Sequence, residues 1–113
     1  NNFAHSSPAE WLLDVFTALR ISEENRPIIV SPSMSGRFSV PFVLKHSRLL
    51  GGFVPIAPVT AEEHANELAH INTPTLIVWG SNDMFFPVVI ASKLDKAMPC
   101  SETLILNDAT HAC

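Results

Sequence analysis

Ser33, Asp83 and His111 are the residues of this 113-residue chain whose types and order could move a proton and form a covalent bond. A serine hydroxyl is a weak nucleophile at neutral pH, so an imidazole has to take its proton. A carboxylate then orients the imidazole and stabilises the imidazolium. The tetrahedral oxyanion needs preorganised donors, and the backbone N–H of Met34, next after the serine, is the natural first one. Together these groups would carry acyl transfer through an acyl-serine. Each also has a plainer reading: Ser33 as a loop serine, Asp83 as a cap on the following helix, His111 as a surface histidine. Asp108 is a competing acid on the same loop as His111. His5, His46, His64 and His70 occupy no comparable position.

Sterics choose Ser33 from three serines. The stretch Pro27-Ile28-Ile29-Val30-Ser31-Pro32-Ser33-Met34-Ser35-Gly36 is an apolar run that ends in small residues and opens a helix. This is the pattern of a strand, a sharp turn carrying a nucleophile, and a helix. So tight a turn needs small residues two positions either side. Ser33 has Ser31 and Ser35 there, with Gly36 giving further clearance. Ser35 would have Arg37 as a flank, and Ser31 would have Ile29, which the strand needs. Pro32 pushes Ser31 towards an extended conformation, as the strand's last residue requires.

The elements that must position these groups alternate along the chain. Ser7-Pro8-Ala9-Glu10 is a capping box that opens a helix, with Trp11, Leu12, Val15, Phe16 and Leu19 at helical spacing. Ile28–Ser31 is a strand. Met34–Leu50 reads as a helix that Pro41 kinks or limits and Gly51-Gly52 ends. Phe53–Val59 resembles a buried strand, although Pro55 and Pro58 tell against it. Thr60-Ala61-Glu62-Glu63 is a second capping box, opening a short helix to about His70. Thr75–Trp79 is the clearest strand. A loop over Gly80–Phe86 and a helix over Pro87–Met98 follow, with Ile90, Leu94 and Ala97 inward and Pro99 as the stop. Thr103–Leu106 is the last strand. Strands near 28, 53, 75 and 103 separated by helices suit right-handed crossovers and a parallel sheet. Functional groups in such a sheet gather beyond the strands' C-terminal ends, which is where Ser33, Asp83 and His111 all fall.

Bulk properties narrow the class. Hydrophobic residues make up 47% and charged residues 16%, a composition for a folded interior within a single domain over 1–113. A net charge of −4 with no Lys/Arg cluster argues against a nucleic-acid surface. Cys100 and Cys113 are too few for a disulfide framework and form no zinc motif, so no metal is expected and a reducing compartment is the default. No apolar run approaches the roughly 20 residues that span a bilayer. Met84, Phe85 and Phe86 could line an acyl pocket or simply pack in the core.

The order Ser, Asp, His is that of the α/β-hydrolase fold. The chain resembles the abhydrolase-domain-containing 14 subfamily over essentially its whole length. The likeness is carried by Ser31-Pro32-Ser33-Met34-Ser35-Gly36, Gly52-Phe53-Val54-Pro55-Ile56-Ala57-Pro58, Thr73-Pro74-Thr75-Leu76-Ile77-Val78-Trp79-Gly80 and His111-Ala112-Cys113. The resemblance implies Ser33 as nucleophile, Asp83 as acid and His111 as base, and it implies that the proline-bearing strand is real. It also implies small acyl substrates: esters, or acyl-lysine whose acetyl group passes to coenzyme A. One branch of the family has an N-terminal membrane anchor and another is soluble in cytoplasm and nucleus. The expected localisation is therefore cytoplasmic, with room for an anchor upstream. The expectation is a partial α/β-hydrolase fold of about four parallel strands with flanking helices. Its early strands, second oxyanion donor and final helix would lie outside the chain, leaving the Ile28–Ser31 strand as an exposed edge and the chain alone nearly inactive. The usual glycine before the histidine is Thr110 here, which bears on the geometry of that loop. The alternative to an enzyme is an interaction module that keeps the shell and binds a protein partner.

Overall fold

The computed structural model describes residues 7–111, so the readings that involve His5, Ala112 and Cys113 fall outside the described residues. Helix α1 (Pro8–Ala18) begins where Ser7 Oγ accepts the Glu10 N–H at 3.2 Å and the Glu10 carboxylate accepts the Ser7 N–H at 3.4 Å. Such a cap stabilises a helix by about 1 kcal/mol. The helix stops short of Leu19. Arg20 turns left-handed (φ 59°), and the N–H groups of Arg20 and Ile21 donate to the carbonyls of Thr17 and Phe16. That paired closure of a helix end faces Leu19 outward, 65% exposed, while Phe16 is buried.

Four strands form one parallel sheet in the order β1-β2-β3-β4: β1 (Ile28–Pro32), β2 (Gly52–Ile56), β3 (Thr75–Gly80) and β4 (Ser101–Leu106). The β1–β2 ladder is continuous from Ile28↔Gly52 to Pro32↔Ile56. The β2–β3 ladder is matched at Phe53↔Thr75 and Ile56↔Val78 alone. Proline explains the gap. Phe53 and Ala57 donate towards the β3 side, to the carbonyls of Pro74 and Val78, so by the two-residue alternation of a strand the missing N–H of Pro55 falls on that side. The strand survives because the loss is one hydrogen bond, while Pro55 is fully buried.

The single helix expected over residues 34–50 is divided. A 3₁₀ turn (Ser33–Ser35) leads into α2 (Gly36–His46), and a second (Ser47–Leu49) follows it. Pro41 does not limit α2, because its lost bond would have run to Arg37 in the first turn. Gly51 and Gly52 keep negative φ, and the Gly51 N–H donates to the Pro27 carbonyl at 2.9 Å, starting the ladder. The second capping box does not form. Thr60 Oγ1 donates instead to the Gly36 carbonyl at 3.3 Å, and only a 3₁₀ turn (Glu62–His64) and the single turn of α3 (Ala65–Leu68) follow. Helix α4 (Val89–Ala97) is shorter than the expected 87–98 and buries Ile90, Ala91 and Leu94, with Ala97 only half-buried.

The core lies between one face of the sheet and the helices. Phe53, Ile77 and Trp79 from the strands meet Val40, Phe42 and Val43 of α2, Leu68 of α3 and Leu94 of α4. Helix α1 closes onto α2 through edge-to-face Trp11–Phe38 (5.4 Å) and tilted Phe16–Phe42 (4.6 Å). Aromatic contacts of this kind add ~1 kcal/mol beyond buried area. The opposite sheet face carries Ile28, Val30, Leu76 and Leu104, all exposed, and β1 is an edge strand as expected. Among the described residues no helix is long and apolar enough to cross a membrane.

Candidate active site

Because the strands are parallel, the chain leaves β1, β3 and β4 at the same rim, and one polar side chain comes from each exit. Ser33 follows β1 directly. Pro32 is extended (φ −86°, ψ 142°), Ser33 turns to φ 45°, and a 3₁₀ turn enters α2. Gly36 is needed for a close approach rather than for its own φ: a Cβ there would lie 2.4 Å from the Val59 carbonyl oxygen. Ser31, two residues before Ser33, turns into the core and shares a 2.6 Å hydrogen bond with the buried Ser39 of α2. Ser35, the other flank, is exposed.

Asp83 leaves the loop after β3 with its side chain wholly buried. Its Oδ1 accepts the N–H groups of Phe85 and Phe86, each at 2.8 Å, and its Oδ2 lies 2.7 Å from His111 Nδ1. A carboxylate only accepts, so Nδ1 carries the proton. The Nε2 of the neutral ring is then left to accept from Ser33 Oγ, 2.7 Å away. Burial alone would raise the Asp83 pKa. The Phe86 N–H, the His111 hydrogen bond, the Phe85 N–H and the positive charge of the imidazole when it is protonated outweigh it and hold the carboxyl below its ordinary value.

The loop bearing His111 is strapped to the exit of β3. The Ser81 N–H donates to the Leu106 carbonyl (3.0 Å), the Asn82 N–H to the Ala109 carbonyl (2.9 Å), and the Asp108 N–H to Ser81 Oγ (2.8 Å). Gly80 makes this possible, since a Cβ there would meet the Ala109 and Thr110 carbonyl oxygens at 2.3 and 2.6 Å. The turn is made by Asp108 at φ 61°, while Thr110 keeps negative φ, so this loop reaches His111 without a glycine before the histidine. Asp108 shapes the loop; Asp83 is the carboxylate against the imidazole.

The structure therefore brings Ser33, Asp83 and His111 together. Met34 lies in the 3₁₀ turn, whose first N–H groups have no acceptor within the turn. The three pocket candidates divide. The rings of Phe85 and Phe86 sit 5.2 and 5.3 Å from the imidazole, flanking it, whereas Met84 is 89% exposed. A cavity of about 560 Å³ lies at the opposite end of the sheet beside Ile28, Gly52, Thr75 and Ser101, with none of Ser33, Asp83 and His111 in its wall. A groove of about 250 Å³ beside the elbow is bounded by Trp11, Phe38, Val30, Ser31 and Ser35. No group of three or more His, Cys, Asp or Glu suited to a metal occurs among the described residues. Sequence reasoning missed Ser39, Gly80, Val59 and Thr60, whose parts depend on contacts between distant segments.

No family model matches the chain. It is similar to ABHD14B of Homo sapiens, named as a candidate protein-lysine deacylase, at 34% identity over 95% of this chain and 49% of that protein. It is similar to ABHD14A of Danio rerio at 41% identity over 77% of this chain and 32% of that protein. Its fold matches that of a predicted CIB-like hydrolase from Thermoplasma acidophilum with a TM-score of 0.85 at 23% identity, over 98% of this chain and 53% of that one. The chain thus spans about half the length of the curated ABHD14B relatives it matches.

Proposed function

Since the chain belongs to the α/β hydrolases, with the ABHD14 proteins as its homologues, we propose that the full-length protein is a serine hydrolase acting on small acyl esters or amides, acyl-lysine foremost. The name of ABHD14B supports the choice of acyl-lysine. What supports the mechanism is one observation: an unbroken Ser33–His111–Asp83 relay with both links at 2.7 Å, starting from a serine at the head of a helix.

In the first half-reaction Ser33 Oγ attacks the acyl carbonyl carbon while His111 Nε2 takes the hydroxyl proton. The oxyanion forms near the Met34 N–H. His111, now an imidazolium facing Asp83, gives its proton to the departing amine or alkoxide, and the C–N or C–O bond breaks to leave acyl-Ser33. In the second half-reaction an acceptor attacks the acyl-serine, again losing its proton to Nε2, and Ser33 is restored. Water as acceptor gives hydrolysis; a thiol such as coenzyme A gives acyl transfer.

Labelling the full-length protein with a fluorophosphonate and mapping the adduct tests the assignment. The adduct is expected on Ser33 and is expected to vanish in Ser33→Ala. Modification elsewhere, or none, would remove the enzyme reading in favour of an interaction module. Product formation from an acyl-lysine peptide with and without coenzyme A distinguishes the two acceptors.

A further inference from the structure

Ser33 holds a backbone conformation that serine seldom takes, and such a conformation persists only where neighbours over-determine it. The loop over residues 57–60 provides those neighbours. The Val59 N–H donates to the Ser33 carbonyl at 2.9 Å, and Thr60 Oγ1 donates to the Gly36 carbonyl at 3.3 Å. Val59 also rests directly on Gly36, which has no Cβ to keep it away. The loop is strained in its own right, with Ala57 at φ 42° and Thr60 at φ 69°. A left-handed β-branched residue is a genuine outlier, and glycine would make the same turn without steric cost. Thr60 is an expensive choice for a mere turn, and its hydroxyl is spent on the first residue of the helix behind the nucleophile.

We propose, resting on the reading of Ser33 as nucleophile, that Thr60 is a positioning residue. Its hydroxyl and left-handed backbone lock the Val59 N–H onto the Ser33 carbonyl and so set the angle at which Ser33 Oγ meets His111 Nε2. Without the lock the elbow relaxes towards an unstrained φ, and the hydroxyl swings away from the imidazole. Thr60 acts through the backbone of residues 33–36.

The test measures fluorophosphonate labelling of the full-length protein, separating the saturating rate (kinact) from the half-saturating concentration (KI), together with the melting temperature. Thr60→Val and Thr60→Gly are expected to lower kinact on the order of tenfold with KI unchanged, because the reacting atoms are misaligned while binding is not. Thr60→Ser, which keeps the hydroxyl, is expected to recover most of the rate. Thr60→Gly is expected to melt at or above the wild-type temperature, since its strain is relieved. Slower acylation in a variant that is no less stable is a result that a purely structural role does not produce. A kinact within about twofold of wild type in both Thr60→Val and Thr60→Gly overturns the positioning role and leaves Ser33 as nucleophile. A wild-type protein that does not label at Ser33 overturns both. Should Thr60→Val not fold, Thr60→Gly decides alone.

Discussion

Asp83 divides one carboxylate between two tasks: Oδ1 ties down the turn at Phe85 and Phe86, and Oδ2 faces the imidazole. The plainer reading of Asp83 as a cap on the following helix is not what forms: α4 starts from Val88 with no side-chain cap, and the carboxylate ties the turn before it instead. The double use also makes the site acid-sensitive. The folded Asp83 pKa lies below the ordinary value of 3.8, so between those two values the unfolded chain binds the proton first. The stabilising contribution is therefore complete above about pH 4 and is lost as the pH falls through the folded value. Replacing Asp83 by Asn is expected to flatten this part of the stability-versus-pH curve, followed by denaturant unfolding. In the same variant an amide cannot hold the imidazole in the required tautomer, and Ser33 acylation is expected to fall by roughly 10³-fold or more. A variant with the wild-type acylation rate would take Asp83 out of the relay.

At the scale of elements, the rim is built by loops leaning on loops. The 107–111 segment reaches over Gly80 so closely that a methyl group would collide with two carbonyl oxygens. Gly80→Ala is accordingly expected to lift His111 off Ser33 and lower acylation on the order of 10²-fold, with the β3–β4 pairing retained. Acylation kinetics beside the far-ultraviolet circular dichroism spectrum would check it. An unaltered rate would mean that the loop bends without cost. Sequence periodicity located nearly every element here, because apolar spacing and the prolines and caps that bound helices are local properties. It failed where a distant segment competed for a group. Thr60 left its expected capping box to bond Gly36, 24 residues back in the chain.

Across the described residues, the helices cover one face of the sheet and leave Ile28, Val30, Leu76 and Leu104 open on the other, beside an edge of β1 that no other described strand pairs. Exposed apolar strands with a free edge invite pairing with other chains. The 113-residue chain prepared alone is expected to self-associate and to react poorly at Ser33, and Val30→Lys is expected to reduce the association, as read by light scattering across a concentration series. A monomer at high concentration would show the bare face to be tolerated. The strand–helix alternation, the choice of Ser33 among neighbouring serines, and the candidacy of Asp83 and His111 were legible in the amino-acid order, since they follow from side-chain size, hydrophobic spacing and chain order. It took the folded chain to reveal that Asp83 rather than Asp108 faces the imidazole, that Pro55 sits inside a paired strand, and that residues 57–60 press on the turn at Ser33. Each of those is a contact between segments far apart in the chain, and no local pattern encodes which groups meet once the sheet has closed.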